Sequence, residues 1–377
     1  MDSVLAALRD SSTPALYRRN TFRITGLSTT ADRPTVRQRR QKVLTLIGVG
    51  AAEGDPQEVA RAFDLILGDP RRRLVDELFW FWDSDTSTCD CPSTLHRDHD
   101  EAVLSHYEVL EREALSAQLS PGELRDLNED WKDAATEWAS VLRRVAFWDH
   151  VRSRIRALDD KQLDESAIDV IRDELPSVLV KPLVVLAAGS ETRAANLRVA
   201  ALDWPAPRDL VLDLFEQSAE PLYEGVTDAV REAREALENS RPAVAANALT
   251  QSALPRLERL NTLAPATDHR RTVRARNDVA IGFNNCAVQD IDARGAPAEQ
   301  AARKWLATAE RLASDPDTRN SIAQNTEYVG QVVRFTRQPR YAPASQQPQP
   351  SNAGCVGCLT WLVLIALGIV FVWWVSR

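Results

Sequence analysis

From Val356 to Val375 the chain runs for 20 residues, VGCLTWLVLIALGIVFVWWV, without a charge. As a helix rising about 1.5 Å per residue, such a run is about 30 Å long, the thickness of a bilayer's hydrocarbon core. Twelve of its residues are Val, Leu, Ile or Phe, each favouring insertion by about 0.3–0.6 kcal/mol near the helix centre. Trp361 lies near one end, and Trp373 and Trp374 at the other, where aromatic rings settle at membrane–water interfaces. These residues predict a single-pass membrane anchor over 355–377, with lipid as its partner. Only Ser376 and Arg377 follow, so the anchor is expected to insert after translation. Arg334, Arg337 and Arg340 precede it and one Arg follows, which predicts a cytoplasmic N-terminal body by the positive-inside rule.

Residues 338–354, QPRYAPASQQPQPSNAG, are rich in Pro, Gln and Ser and have no apolar periodicity. They read as an extended tether. The net charge of −8 over 377 residues argues against a nucleic-acid partner. Five cysteines, an odd and scattered set, fit a reducing compartment better than a disulfide framework. The first ten residues lack the charged and apolar regions of a secretory signal. Arg far outnumbers Lys, and Ala is abundant, as in GC-rich bacterial coding.

Ahead of the tether, apolar residues recur at three- and four-residue steps. Trp131, Trp138, Val141, Leu142, Val145, Trp148, Val151, Ile155 and Leu158 form one such stripe, the signature of helices packed on a core. The fold class expected is all-α. Residues 176–189, PSVLVKPLVVLAAG, are the one β-like run. Pro182 interrupts it, and it reads as a buried helix–turn segment.

The first part of the body carries a more specific pattern. Asn20 to Ser28 is a short apolar segment closed by Gly26, and Pro34 then opens a basic helix. Val59, Ala62, Phe63, Ile66, Asp69 and Pro70 follow, and then Arg71, Arg72 and Arg73. On these residues the stretch 20–82 resembles a J domain, the helical module of DnaJ-type co-chaperones. The resemblance implies the module's helical fold. It does not carry over the stimulation of a chaperone ATPase, because the family's His-Pro-Asp tripeptide is replaced by Gly48-Val49-Gly50-Ala51-Ala52-Glu53-Gly54. Arg37, Arg39 and Arg40 on the basic helix are candidate protein-binding residues. Leu78-Phe79-Trp80-Phe81-Trp82 is too apolar for one helical face. Trp80 and Trp82 are therefore either further protein-binding residues or, as expected here, a dock onto the helix beginning near Asp100.

Cys89, Cys91, His96 and His99 bring thiols and imidazoles into one short segment, the donors zinc takes. One residue between the cysteines is fewer than common structural sites have, so the four are metal candidates only, and the segment 83–99 reads as a polar loop. Residues 272–330 are similar to tetratricopeptide repeats, with a turn at Gly295, small residues at Ala302 and Ala309 around Leu306, and Pro316 after the second helix. That resemblance implies protein binding by a stacked helical array.

The expected organisation is a J-like module over 15–82, the Cys/His loop over 83–99, a helical body over 100–265 and tetratricopeptide-like helices over 266–337. No P-loop, dinucleotide fingerprint, nucleophile elbow or zinc-protease motif occurs, so no catalytic residue and no cofactor is expected. The function expected is a membrane scaffold or adaptor for an unidentified protein partner. The alternatives are a degenerate co-chaperone that recruits clients, or a metal-dependent hydrolase using the Cys/His stretch. Deleting residues 355–377 is expected to move the protein from the membrane to the soluble fraction with its helical circular dichroism unchanged. Continued sedimentation with membranes would contradict the anchor.

Overall fold

Helix starts along this chain are written as an oxygen-bearing cap followed by proline. The Asp32, Asp55 and Asp69 side chains each accept a backbone N–H of the turn that follows, and Pro34, Pro56 and Pro70 sit in that turn. Proline is at ease there, because its missing N–H has no intrahelical partner to lose and its φ is already helical. The computed structural model describes residues 2–83, 89–161 and 163–337. They build the expected all-α fold, and among the described residues no strand occurs.

The first group is α1 (Asp2–Ser11), α2 (Thr21–Thr25), α3 (Arg33–Gly48), α4 (Pro56–Gly68) and α5 (Pro70–Leu78). Phe22, Leu27, Val36, Val59, Phe63 and Ile66 close a small core among α2, α3 and α4. Gly26 ends α2 in the left-handed region, φ 62°, a conformation that costs glycine little. Helix α5 faces elsewhere. Its Leu74, Val75 and Leu78 belong to the larger core of the body, where α1 packs against α5 and α9 (Ala167–Gly189).

The body continues through α6 (Ser93–Ala114), α7 (Pro121–Leu142), α8 (Val145–Leu158), α9, α10 (Ala194–Asp203) and α11 (Arg208–Ser218). Helix α6 begins at Ser93, so the polar loop is shorter than the expected 83–99, and His96 and His99 lie on its first turns. Helix α9 corrects the reading of 176–189. It is one helix that runs through both Pro176 and Pro182. Leu175, Val178, Leu179, Leu183, Val184 and Ala187 are buried against the surrounding helices, and that burial outweighs the backbone hydrogen bonds the prolines remove.

The last helices are α12 (Glu220–Glu238), α13 (Pro242–Ala248), α14 (Leu254–Leu263), α15 (Arg270–Arg294), α16 (Glu299–Leu312) and α17 (Pro316–Arg337). They share a core that starts at Ala219 and includes Ala302, Leu306 and Ala309. Helices α12 to α14, grouped with the middle body in the sequence reading, thus pack with α15 to α17. Their small inward residues, among them Ala229, Ala233 and Ala245, admit α15 closely. A π turn over Leu249–Ala253 joins α13 to α14. It faces Gly282, where a Cβ would come within 2.8 Å of Leu249 Cδ1. Pro316 opens α17 behind the Asp315 cap.

His106 of α6 is buried between Trp131 and Trp204, and its Nδ1 lies 2.9 Å from the Tyr17 hydroxyl. Burial alone lowers its pKa to about 3, against about 6.5 in an unfolded chain. Between those values the unfolded state binds a proton that the folded state does not. This contribution to stability is therefore complete above about pH 6.5 and is lost by about 1.4 kcal/mol per pH unit as pH falls towards 3. Denaturant melts from pH 7.5 to 4.5 are expected to lose stability towards acid, and the His106→Phe variant to lose it less steeply by about this slope. Equal slopes would mean that His106 is protonated in the fold.

Candidate metal centre and binding groove

Aromatic residues at the end of α5 build the first site. Trp82 lies just beyond α5, after Phe79, Trp80 and Phe81, and Asp100 fixes its place by accepting the backbone N–H groups of Trp82 at 2.7 Å and Asp83 at 2.9 Å. The indole N–H donates to the Glu77 carbonyl at 2.8 Å. With that polar atom satisfied, the ring can be buried at low cost. It lies stacked between two imidazoles, His99 of α6 at 3.6 Å and His150 of α8 at 3.8 Å between ring centroids. Trp82 is thus the dock expected between the module and the helix near Asp100, and it is 3% exposed. Trp80 is half-buried against the small core of α2 to α4, with its ring 5.0 Å from Phe81.

Beside this stack, one donor atom each from Cys89, Cys91, His96 and His150 gathers within 4.8 Å of the others. Cys89 Sγ is 3.3 Å from His96 Nε2, and Cys91 Sγ is 3.1 Å from His150 Nδ1. His96 Nδ1 lies 2.9 Å from the Asp83 carbonyl. A carbonyl oxygen only accepts, so Nδ1 carries the proton and Nε2 turns its lone pair to the sulfur. Both imidazoles are buried and both sulfurs half-buried. Burial first, and then the neighbouring Cys89 thiol, push Cys91 up to about 12. Burial, with His96 and His99 adding to it, lowers His150 to about 3.

Three of the four residues named from the sequence therefore converge, and the fourth does not. His99 Nε2 is 3.1 Å from the Leu78 carbonyl and Nδ1 3.2 Å from Asp100 Oδ1. Its nitrogens serve the Trp82 dock. His150 takes the fourth place from 59 residues beyond Cys91. No local spacing could announce it, although it sits next to Val151 in the apolar stripe of α8, where a polar residue is out of pattern.

The basic residues of α3 are partly engaged. Arg40 pairs with Asp64 of α4 at 3.1 Å, and Arg39 Nε donates to the Thr25 carbonyl at 3.4 Å, while Arg37 is exposed. Trp361, Trp373 and Trp374 lie outside the described residues, as does the whole anchor segment. Among the described residues no helix is long and apolar enough to cross a membrane.

A second site lies between α12 and α15, where a groove of about 630 Å³ opens. Val226, Val230 and Ala275 line it, with Ile281, which is 44% exposed. Four arginines stand around it. Arg271 pairs with Glu220 and lies over the Tyr223 ring, and Arg231 pairs with Asp228 at 2.6 Å. Arg234 and Arg274 are exposed and flank Asp278, which is also exposed and to which both arginines are electrostatically attracted. No protein-family model, curated protein or solved structure matches the chain.

Truncating Trp82 removes a buried ring stacked on both faces, so Trp82→Ala is expected to cost about 3–5 kcal/mol in denaturant melts. Trp80→Ala, losing a half-buried ring, is expected to cost less than half of that. Equal losses would place both rings in the same joint.

Proposed function

We propose that this chain is a membrane-anchored scaffold or adaptor, whose groove between α12 and α15 takes an acidic segment with apolar anchors from a partner protein. The observation that supports this reading most is the composition of the groove. Its floor is apolar, it holds an exposed Ile281, and the arginines at its rim run against the chain's net charge of −8. An acidic amphipathic helix matches both features, laying its apolar face on the floor while its carboxylates meet Arg234 and Arg274. Glu220 and Asp228 pair with Arg271 and Arg231, and Asp278 is a single carboxylate shared between Arg234 and Arg274, so these two arginines keep a net positive charge for the partner's carboxylates.

The membrane part of the proposal rests on the uncharged run 356–375. Anchored there through a Pro-rich tether, the body would meet partners within a thin layer next to the bilayer, where tethering raises effective concentration. The module over 15–82 is read as J-like in fold without the tripeptide that drives ATP turnover. It would add surface to the scaffold rather than chaperone activity.

Full-length protein in detergent is expected to bind a synthetic acidic amphipathic peptide, followed by fluorescence anisotropy, less tightly as salt rises. The double variant Arg234→Glu/Arg274→Glu should weaken binding by about tenfold or more, with an unchanged melt. Equal affinities for the wild type and the double variant would remove the groove from the function.

A further inference from the structure

We propose that Cys89, Cys91, His96 and His150 together bind one zinc ion, which staples the Cys89–Cys91 segment to helices α6 and α8. The donor set is two sulfurs and two imidazole nitrogens from three separate parts of the chain. In a tetrahedral zinc site, bonds of about 2.0–2.3 Å put neighbouring donors about 3.3–3.8 Å apart. The Cys89–His96 pair at 3.3 Å and the Cys91–His150 pair at 3.1 Å already stand near that spacing, with all four atoms inside 4.8 Å.

Orientation and chemistry agree with the distances. The Asp83 carbonyl holds His96 in the tautomer whose Nε2 lone pair points at the cluster, the arrangement that metal-binding histidines use. Two thiolates and two neutral imidazoles form a soft set that takes zinc in preference to calcium or magnesium. On binding, each thiol loses its proton to solvent and each sulfur gives a lone pair to the ion. Two protons leave, and the two thiolates neutralise the charge of the zinc. Without the ion, the two sulfurs lie within hydrogen-bond distance of the imidazoles. With it, the same groups make bonds to one centre.

Four protein donors leave no position for a water, so the site is of the closed, structural kind. Its location says what it would hold. His150 lies on one face of the Trp82 ring, and His96 meets that ring edge-on at 5.5 Å. A metal bridging the two histidines would fix the stack that joins α5 to α6 and α8. It would also close a loop of 59 residues between Cys91 and His150, which restricts the unfolded chain most when loops are long.

The test uses full-length protein purified in detergent from zinc-supplemented cells. Elemental analysis is expected to give about one zinc per chain, as for a single closed site. After exchange to cobalt, the visible spectrum should show tetrahedral bands together with thiolate-to-cobalt charge transfer. Cys91→Ser and His150→Gln should each lose the metal, while His99→Gln, which alters the Trp82 dock but not the donor set, should keep it. Absence of zinc and of cobalt bands in wild-type protein would overturn the proposal. So would a Cys89–Cys91 disulfide in protein kept under reductant, or full zinc content in His150→Gln. Because the wild-type spectrum reads the ligands directly, a variant that fails to fold does not rescue the idea.

Discussion

Glu77 holds the molecule's two N-terminal cores together. Its carboxylate accepts from Arg73 Nε at 2.8 Å and from Arg154 of α8 at 2.9 Å, and all three side chains are largely withdrawn from water. Two guanidinium groups around one carboxylate leave a positive excess. The carbonyls of Thr29 and Ala31 accept from Arg73 and take up that excess. Such an arrangement adds little net stability over a well-packed apolar one, but losing one partner leaves a buried charge that costs about 3–5 kcal/mol. Its effect is to specify geometry. Arg73 spans the two cores, bonding Glu77 on one side and the Thr29 and Ala31 carbonyls on the other. The neighbouring Asp76 works in the same way, accepting from Arg72 and from the Thr21 hydroxyl.

Trp82 is tied to that joint through its indole N–H on the Glu77 carbonyl, and the Cys/His cluster lies beside its ring. The ring's stacking on His99 and His150 brings α6 and α8 to a common distance, and Asp100 holds the backbone at the point where the chain turns towards Cys89. Two histidines near one tryptophan then do different work. His99 makes hydrogen bonds on both nitrogens within the dock, whereas His150 turns Nδ1 to a sulfur. A zinc ion at the cluster would act on the same joint as the Glu77 network, one through covalent reach and the other through charge.

The C-terminal helices solve a different problem. Their core is filled by alanines, which bury little area each and therefore need close helix approach to contribute. Gly282 against Leu249 is one such close approach, and the π turn over Leu249–Ala253 lies at that contact. On the solvent side of that packing, α12 and α15 line the arginine-rimmed groove. Small residues inside and long cationic ones outside thus give both the core and the candidate binding surface.

The chain's helical class, the helix start at Pro34, and the inward face of Ala302, Leu306 and Ala309 were legible from local pattern. They depend on neighbours within one or two turns. The single helix through Pro176 and Pro182 was not legible, because only burial among α1, α8, α10 and α11 offsets the missing hydrogen bonds. Neither was the grouping of α12 to α14 with the last helices, since periodicity marks an apolar face without naming its partner. The candidate metal site divides along the same line. Cys89, Cys91 and His96 lie within eight residues and declare themselves as donors. Whether the fourth donor is His99 or His150 depends on which imidazole the Trp82 stack leaves facing the sulfurs, and only the packing of α8 against α6 decides that.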